Sequence, residues 1–171
     1  MKLLKKSMAA LAVIFAASLF MVACSNNDDG DSKPSSLTPP AVYLPEEYAS
    51  KELIGRYVYR VSNDSYADTE ALYLFSDKEY LVTANVINGK TTTSVAYEKG
   101  TYTLTGSATD GKVVFTKTHY YDGNKWTDAT KVLEYDIETH VVKEITVVVE
   151  PVECTIANGV LKWYDTSFNK E

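Results

Sequence analysis

The sequence predicts an all-β fold, an up-and-down antiparallel meander closed into a barrel of about 8–10 strands behind a short helix. Three observations carry this. Segments in which apolar and polar residues alternate follow one another from Ile54 to Asp165, and period two is that of a strand with one buried and one wet face. Asn88-Gly89, Asp110-Gly111, Asp122-Gly123 and Asn158-Gly159 fall between those segments and offer the φ > 0 residues of tight hairpins. No stretch long enough for a crossover helix separates the strands, so neighbours pair antiparallel. Such a meander leaves two edges exposed unless it closes on itself.

The elements follow in order. Pro45-Glu46-Glu47 through Ile54 has proline at a helix start, two acids in the first turn and Gly55 just beyond, which predicts a short helix. Strands are expected over Ile54–Ser62, Glu70–Ser76, Glu79–Asn88, Thr91–Glu98, Thr101–Gly106, Lys112–His119, Ala129–Ile137, Val141–Glu150, Val152–Ala157 and Val160–Asp165. Tyr57 and Tyr59 share one face against Arg56 and Arg60, and Tyr102 and Leu104 share one against Thr101, Thr103 and Thr105. Glu134 and Asp136, alternating with Leu133 and Tyr135, read as the outer face of a strand. Pro151 lacks a ladder N–H and marks a strand end, edge or bulge.

The N-terminus has a different texture. Lys2, Lys5 and Lys6 precede an apolar run from Met8 to Ala23. As a helix that run would span only ~24 Å, short of a bilayer core of ~30 Å, so it reads as a signal sequence rather than an anchor. Met21-Val22-Ala23-Cys24 resembles the lipobox cut by the lipoprotein signal peptidase. The resemblance implies cleavage after Ala23, with diacylglycerol on the Cys24 sulfur and a further acyl chain, such as palmitate, on its amino group. Two or three chains hold a protein to a membrane where one holds only marginally. An ordinary secretory signal with a chance cysteine, or an uncleaved anchor, are the alternatives.

Ser25 to Pro40 is polar, acidic and proline-rich, too poor in apolar area to offset ordering entropy. Residues 24–52 therefore read as a lipidated, disordered to short-helical tether reaching roughly 30 Å, and residues 53–171 as the barrel domain. Ser25 is not the aspartate of an inner-membrane retention signal. Asn26-Asn27-Asp28-Asp29 resembles the acidic surface-export signals of some Gram-negative lineages, with a plain solvated linker as the alternative. The expected location is the cell envelope, at the outer membrane.

Cleavage would lower the basic residues from 17 to 14 against 23 acidic ones, net −9. No basic cluster remains after it, which disfavours nucleic acid and electrostatic attraction to anionic lipid. With Cys24 acylated, Cys154 has no disulfide partner and reads as a buried, unreactive thiol in a strand.

Four motifs point to a family. Leu53-Ile54-Gly55-Arg56-Tyr57 is similar to the G-x-W opening of lipocalins, with tyrosine in the tryptophan place. Leu72 to Tyr80 resembles the F-x-x-D-G-x-Y hairpin of bacterial lipocalin-like lipoproteins. Lys99-Gly100-Thr101-Tyr102-Thr103-Leu104-Thr105-Gly106 resembles their G-x-Y strand, and Ile156-Ala157-Asn158-Gly159-Val160-Leu161 their I-x-N-G-x-L closure. No arginine follows Arg60, so the late-strand arginine that many lipocalins lay over the opening tryptophan has no counterpart. The resemblance is to the broader lipocalin-like class, and it implies a barrel with room for a small apolar ligand.

Little else points to chemistry. His119 and His140 have no partners at metal-ligand spacing, and a zinc site needs three or four ligands. Asp64, Asp68 and Glu70 read as a solvated loop without calcium-loop spacing. No nucleophile elbow is present, so no enzyme, cofactor or metal is expected. The aromatic residues stand out: thirteen Tyr, five Phe and two Trp. Tyr57, Tyr59, Phe75, Tyr80, Tyr102, Phe115, Tyr135 and Trp163 are the expected inward set. They either line a pocket for a small apolar or amphipathic ligand or fill the lumen outright. Tyr120, Tyr121 and Trp126 form a separate cluster at a hairpin tip, a contact surface for an envelope or host protein or a lid over the barrel.

Overall fold

The structure is a computed structural model and describes residues 36–171. The expected signal sequence, Cys24 and the first part of the tether lie outside the described residues. Among those residues the elements are a single 3-10 turn, Glu46–Tyr48, and eleven strands. These are β1 (Leu53–Ser62), β2 (Tyr66–Phe75), β3 (Glu79–Asn88), β4 (Thr91–Gly106), β5 (Gly111–Tyr121), β6 (Trp126–Asp128), β7 (Lys131–Asp136), β8 (Val141–Thr146), β9 (Val152–Ala157), β10 (Val160–Trp163) and β11 (Thr166–Lys170).

Eight of these strands close an antiparallel barrel in the order β1-β2-β3-β4-β5-β9-β10-β11 and back to β1. Every barrel pairing is antiparallel between ring neighbours, as a meander requires. The one interruption is β6, β7 and β8, which sit between β5 and β9 in the chain. β6 extends one end of β5, and β7 pairs only with β8 as a separate two-stranded ribbon.

The closing strand, β11, was not among the expected strands. It pairs with β1 through Tyr57↔Lys170 and Val58↔Asn169, and Glu171 ion-pairs with Arg56 and Arg60. Two other expected segments, Thr91–Glu98 and Thr101–Gly106, are one strand. A bulge in β4 shifts its register against β3 between Val82 and Thr83. The hairpin glycines behave as expected at Gly89, Gly123 and Gly159, but Gly111 does not. The positive φ of the β4–β5 hairpin sits on Gly106, at 92°.

Two layers of packing hold the barrel. Inside lie Tyr57, Leu72, Leu74, Tyr80, Val82, Tyr102, Val113, Phe115, Cys154, Ile156, Leu161 and Phe168. Gly100 makes this possible locally, since a Cβ there would stand 2.8 Å from the Tyr80 ring and 2.9 Å from Lys117 Cα. Outside, Val58, Ala71, Tyr73, Phe75 and Leu81 are covered by Tyr48, Val42 and Leu44.

That second layer corrects the extent of the tether. From Leu37 to Tyr48 the chain is a strap laid across β2 and β3. Its carbonyls accept from barrel side chains: Thr69 Oγ1 donates to Pro40 O at 2.6 Å, Asn85 Nδ2 to Ala41 O at 2.8 Å, and Thr83 Oγ1 to Tyr43 O at 2.7 Å. Threonines facing outward at 0% exposure are stable only because the strap satisfies them. The helix expected over Pro45–Ile54 is a single 3-10 turn, and Lys51 then bonds Asp77 and Glu79 across the β2–β3 turn.

Candidate functional site

Alternation places the inward residues of β2 at even numbers, so Leu74, Leu72, Glu70, Asp68 and Tyr66 run up one wall of the lumen. The barrel therefore has an apolar body and a polar end.

At the lower end the β4–β5 turn, Ser107–Asp110, folds against the lumen. Tyr57 is fully buried beneath it and donates its hydroxyl to Ala108 O at 2.6 Å, while Tyr102 donates to Phe75 O at 2.7 Å. Burial pushes the Tyr57 phenol up to about 12. Above this layer Tyr80 meets Phe115 edge-on at 4.8 Å, and Phe115 stacks on Trp163 at 4.9 Å. Cys154 lies among them, and burial pushes its thiol up to about 11.

Six of the eight expected inward aromatics are thus brought together: Tyr57, Tyr59, Tyr80, Tyr102, Phe115 and Trp163. Two are not. Phe75 points outward, stacked 5.7 Å from Tyr48 under the strap, because Leu72 and Leu74 take the inward phase of β2. Tyr135 is on the β7–β8 ribbon, away from the barrel, 56% exposed and bonded to His140 Nδ1 at 2.6 Å. Glu134 and Asp136 do lie on a strand, β7, but Leu133, which alternates with them, is 69% exposed, so the opposite face of that strand is not buried.

The hairpin-tip cluster is not a lid. Tyr121 and Trp126 pair across β5 and β6 with ring centroids 5.8 Å apart. Trp126 packs against the outer layer, with Lys99 Nζ 4.5 Å from its ring. Together with Tyr43, Pro45, Glu47 and Val95 they line an external groove of ≈ 210 Å³. Tyr120 stands apart, its hydroxyl 3.4 Å from Lys131 O.

The upper end holds Asp68 and Glu70, for which the sequence predicts a solvated loop. Asp68 is 7% exposed, inside β2 rather than in solvent. Tyr66 donates to its Oδ2 at 3.1 Å, but Oδ1 is buried with no hydrogen-bond partner. Burial raises its carboxyl above the usual range. Glu70 is next on the same wall. Burial and then Asp68 push its carboxyl up to about 7, opposed by a hydrogen bond from Tyr97. The β4 bulge explains how Tyr97 and Glu98 both turn inward: two residues of one strand oppose one of the next. Glu98 accepts from Tyr80 Oη at 2.8 Å and is paired with Lys117 Nζ at 2.8 Å. The signal for this end was available in Tyr66-x-Asp68-x-Glu70-x-Leu72-x-Leu74, where the polar residues keep the phase of the core leucines.

Among the described residues no group of three or more side chains is placed to hold a metal ion. No protein-family model matches the chain, and neither a curated protein nor a solved structure matches it.

Proposed function

We propose that this chain is a lipid-anchored protein of the cell envelope whose barrel is a solid scaffold for contact with another protein, rather than a carrier with cargo inside. The observation that carries the reading is the interior itself, where Tyr57, Tyr80, Tyr102, Phe115 and Trp163 pack on one another. Ligand pockets for drug-sized molecules measure ~300–1,000 Å³. The groove between strap and hairpin tip, at ≈ 210 Å³, has the size of one or two side chains. Its walls of Tyr43, Tyr121 and Trp126 are of the residue types that anchor protein interfaces. The anchor is supported by the basic start, the short apolar run and Met21-Val22-Ala23-Cys24.

Three measurements test this. Metabolic labelling with an alkyne fatty acid should mark the wild type and leave Cys24→Ala unmarked; equal labelling overturns the anchor. A photo-crosslinking residue at Ser94 should capture a discrete envelope partner that Trp126→Ala loses. Native mass spectrometry of the purified protein should show the bare chain mass, and a retained lipid or other small molecule overturns the solid-barrel reading.

A further inference from the structure

The walls of the external groove are three aromatic rings, Tyr43, Tyr121 and Trp126, and the pyrrolidine of Pro45. Tyr121 and Trp126 are fixed edge to face at 5.8 Å by the pairing of β5 with β6, so that wall is formed before anything docks. Pro45 lies in the polyproline II range, at φ −60° and ψ 146°. Among the described residues Tyr43 Oη, Tyr121 Oη and Trp126 Nε1 donate to no protein acceptor, and none of the three is sealed from water. Donors around an apolar trough suit a ligand with apolar side chains and free carbonyls. A polyproline II segment is such a ligand. It has no internal hydrogen bonds, so its carbonyls accept from outside, and its prolines bring rings without N–H groups. Its conformation is already set, so docking on an aromatic groove costs little ordering entropy.

Charge selects the flanking residue. Glu47 lines the groove and has no ion-pair partner among the described residues. Lys99 Nζ stands 4.5 Å from the Trp126 ring, so a second cation is repelled from the Trp126 side and drawn to Glu47. We propose that the groove docks a proline-rich segment of another protein, in polyproline II form, with a lysine or arginine beside Glu47. This names the partner class of the contact face described above and rests on that reading. It leaves the barrel interior solid, since the site lies outside it.

The experiment is an NMR titration of the full mature chain in detergent micelles with the peptide acetyl-Lys-Pro-Pro-Pro-Pro-amide. The reporters are the Trp126 indole N–H and the Ser94 and Val95 amides, which belong to the groove. The indole of Trp163, stacked on Phe115 inside the barrel, is the internal reference. Saturable shifts of the reporters alone are expected, with Kd on the order of 1 mM. Trp126→Phe keeps a ring and removes the donor, and should weaken binding about fivefold, read at Ser94 and Val95. Glu47→Gln should weaken it about threefold and abolish the preference for this peptide over one with glutamate in place of lysine. An unmoved Trp163 indole in each variant shows that the fold is intact. The same peptide with four glycines in place of the prolines should shift nothing, and neither should maltotriose. No saturation by ~10 mM, equal affinity for the glycine peptide, unchanged affinity in both variants, or equal shifts from maltotriose would each overturn the proposal. If the crosslinker at Ser94 captures a partner while the proline peptide fails, the contact face stands and the proline partner alone is refuted. Failure of both removes the contact face itself.

Discussion

The two ends of the barrel solve the same problem differently. Both must stop water from running along a lumen lined with aromatic rings. The lower end does so with neutral hydrogen bonds from Tyr57 and Tyr102 to backbone carbonyls under a folded-in turn. The upper end does so with carboxylates and phenols, one of whose oxygens has no partner. A neutral seal adds stability and carries no further obligation. A buried acid weakens the fold unless a proton or a cation meets it, so the upper end is where the molecule carries cost that packing alone does not explain.

The largest test of this contrast is at the seal. Tyr57→Ala removes a fully buried ring and should lower unfolding free energy by about 3–5 kcal/mol in denaturant titration. Next comes pH at the other end. Glu70 takes up its proton near 7 when folded and near 4.5 when unfolded, so the folded state holds the proton more tightly. Its contribution is fully present below 4.5 and is lost as pH rises through about 7, a change of about 3 kcal/mol. The melting temperature should therefore fall between pH 5 and 7.5, and Glu70→Gln should flatten that slope. A rise over the same interval would reverse the assignment of the upper end.

Smaller effects sharpen the comparison. Tyr57→Phe keeps the ring and orphans the Ala108 carbonyl, for a loss of about 1–2 kcal/mol. Asp68→Asn removes a buried charge, one oxygen of which has no hydrogen-bond partner, and should leave stability unchanged or raise it by about 1 kcal/mol, the opposite sign to any substitution at the seal. Leu133→Ser, on the exposed ribbon, should fall within about 0.5 kcal/mol of wild type by the same melt. A clear loss there would mean that the ribbon is covered.

Alternation and turn chemistry made the meander legible from the residues, since both are local. What escaped was decided by distant neighbours. β11 offers Phe168 as its one large apolar side chain in Thr166–Lys170, too little for a periodic pattern, and it exists because β1 needs a partner. Tyr66–Thr69 has the polarity of a loop, whereas its one acid, Asp68, is buried inside. Phe75 and Tyr135 are aromatics in strands, which by composition alone suit the lumen. The phase of β2 and the insertion of the β7–β8 ribbon put them elsewhere. The strap was invisible because what seats it is its carbonyl groups, which every residue has, received by Thr69, Thr83 and Asn85 two strands away.

The strap has a mechanical consequence. Its bonds to the barrel are spaced along the chain, beginning with Leu37 N to Asn63 O, so a pull on the preceding residues peels them one at a time instead of loading them together. β1, the strand that follows, is held to β2 by a ladder running from Leu53↔Phe75 to Ser62↔Ala67 and stays in place meanwhile. Peeling from Leu37 to Ser50 releases about 50 Å of slack at ~3.5 Å per residue. Under traction the molecule lengthens like a reel before any strand of the barrel parts.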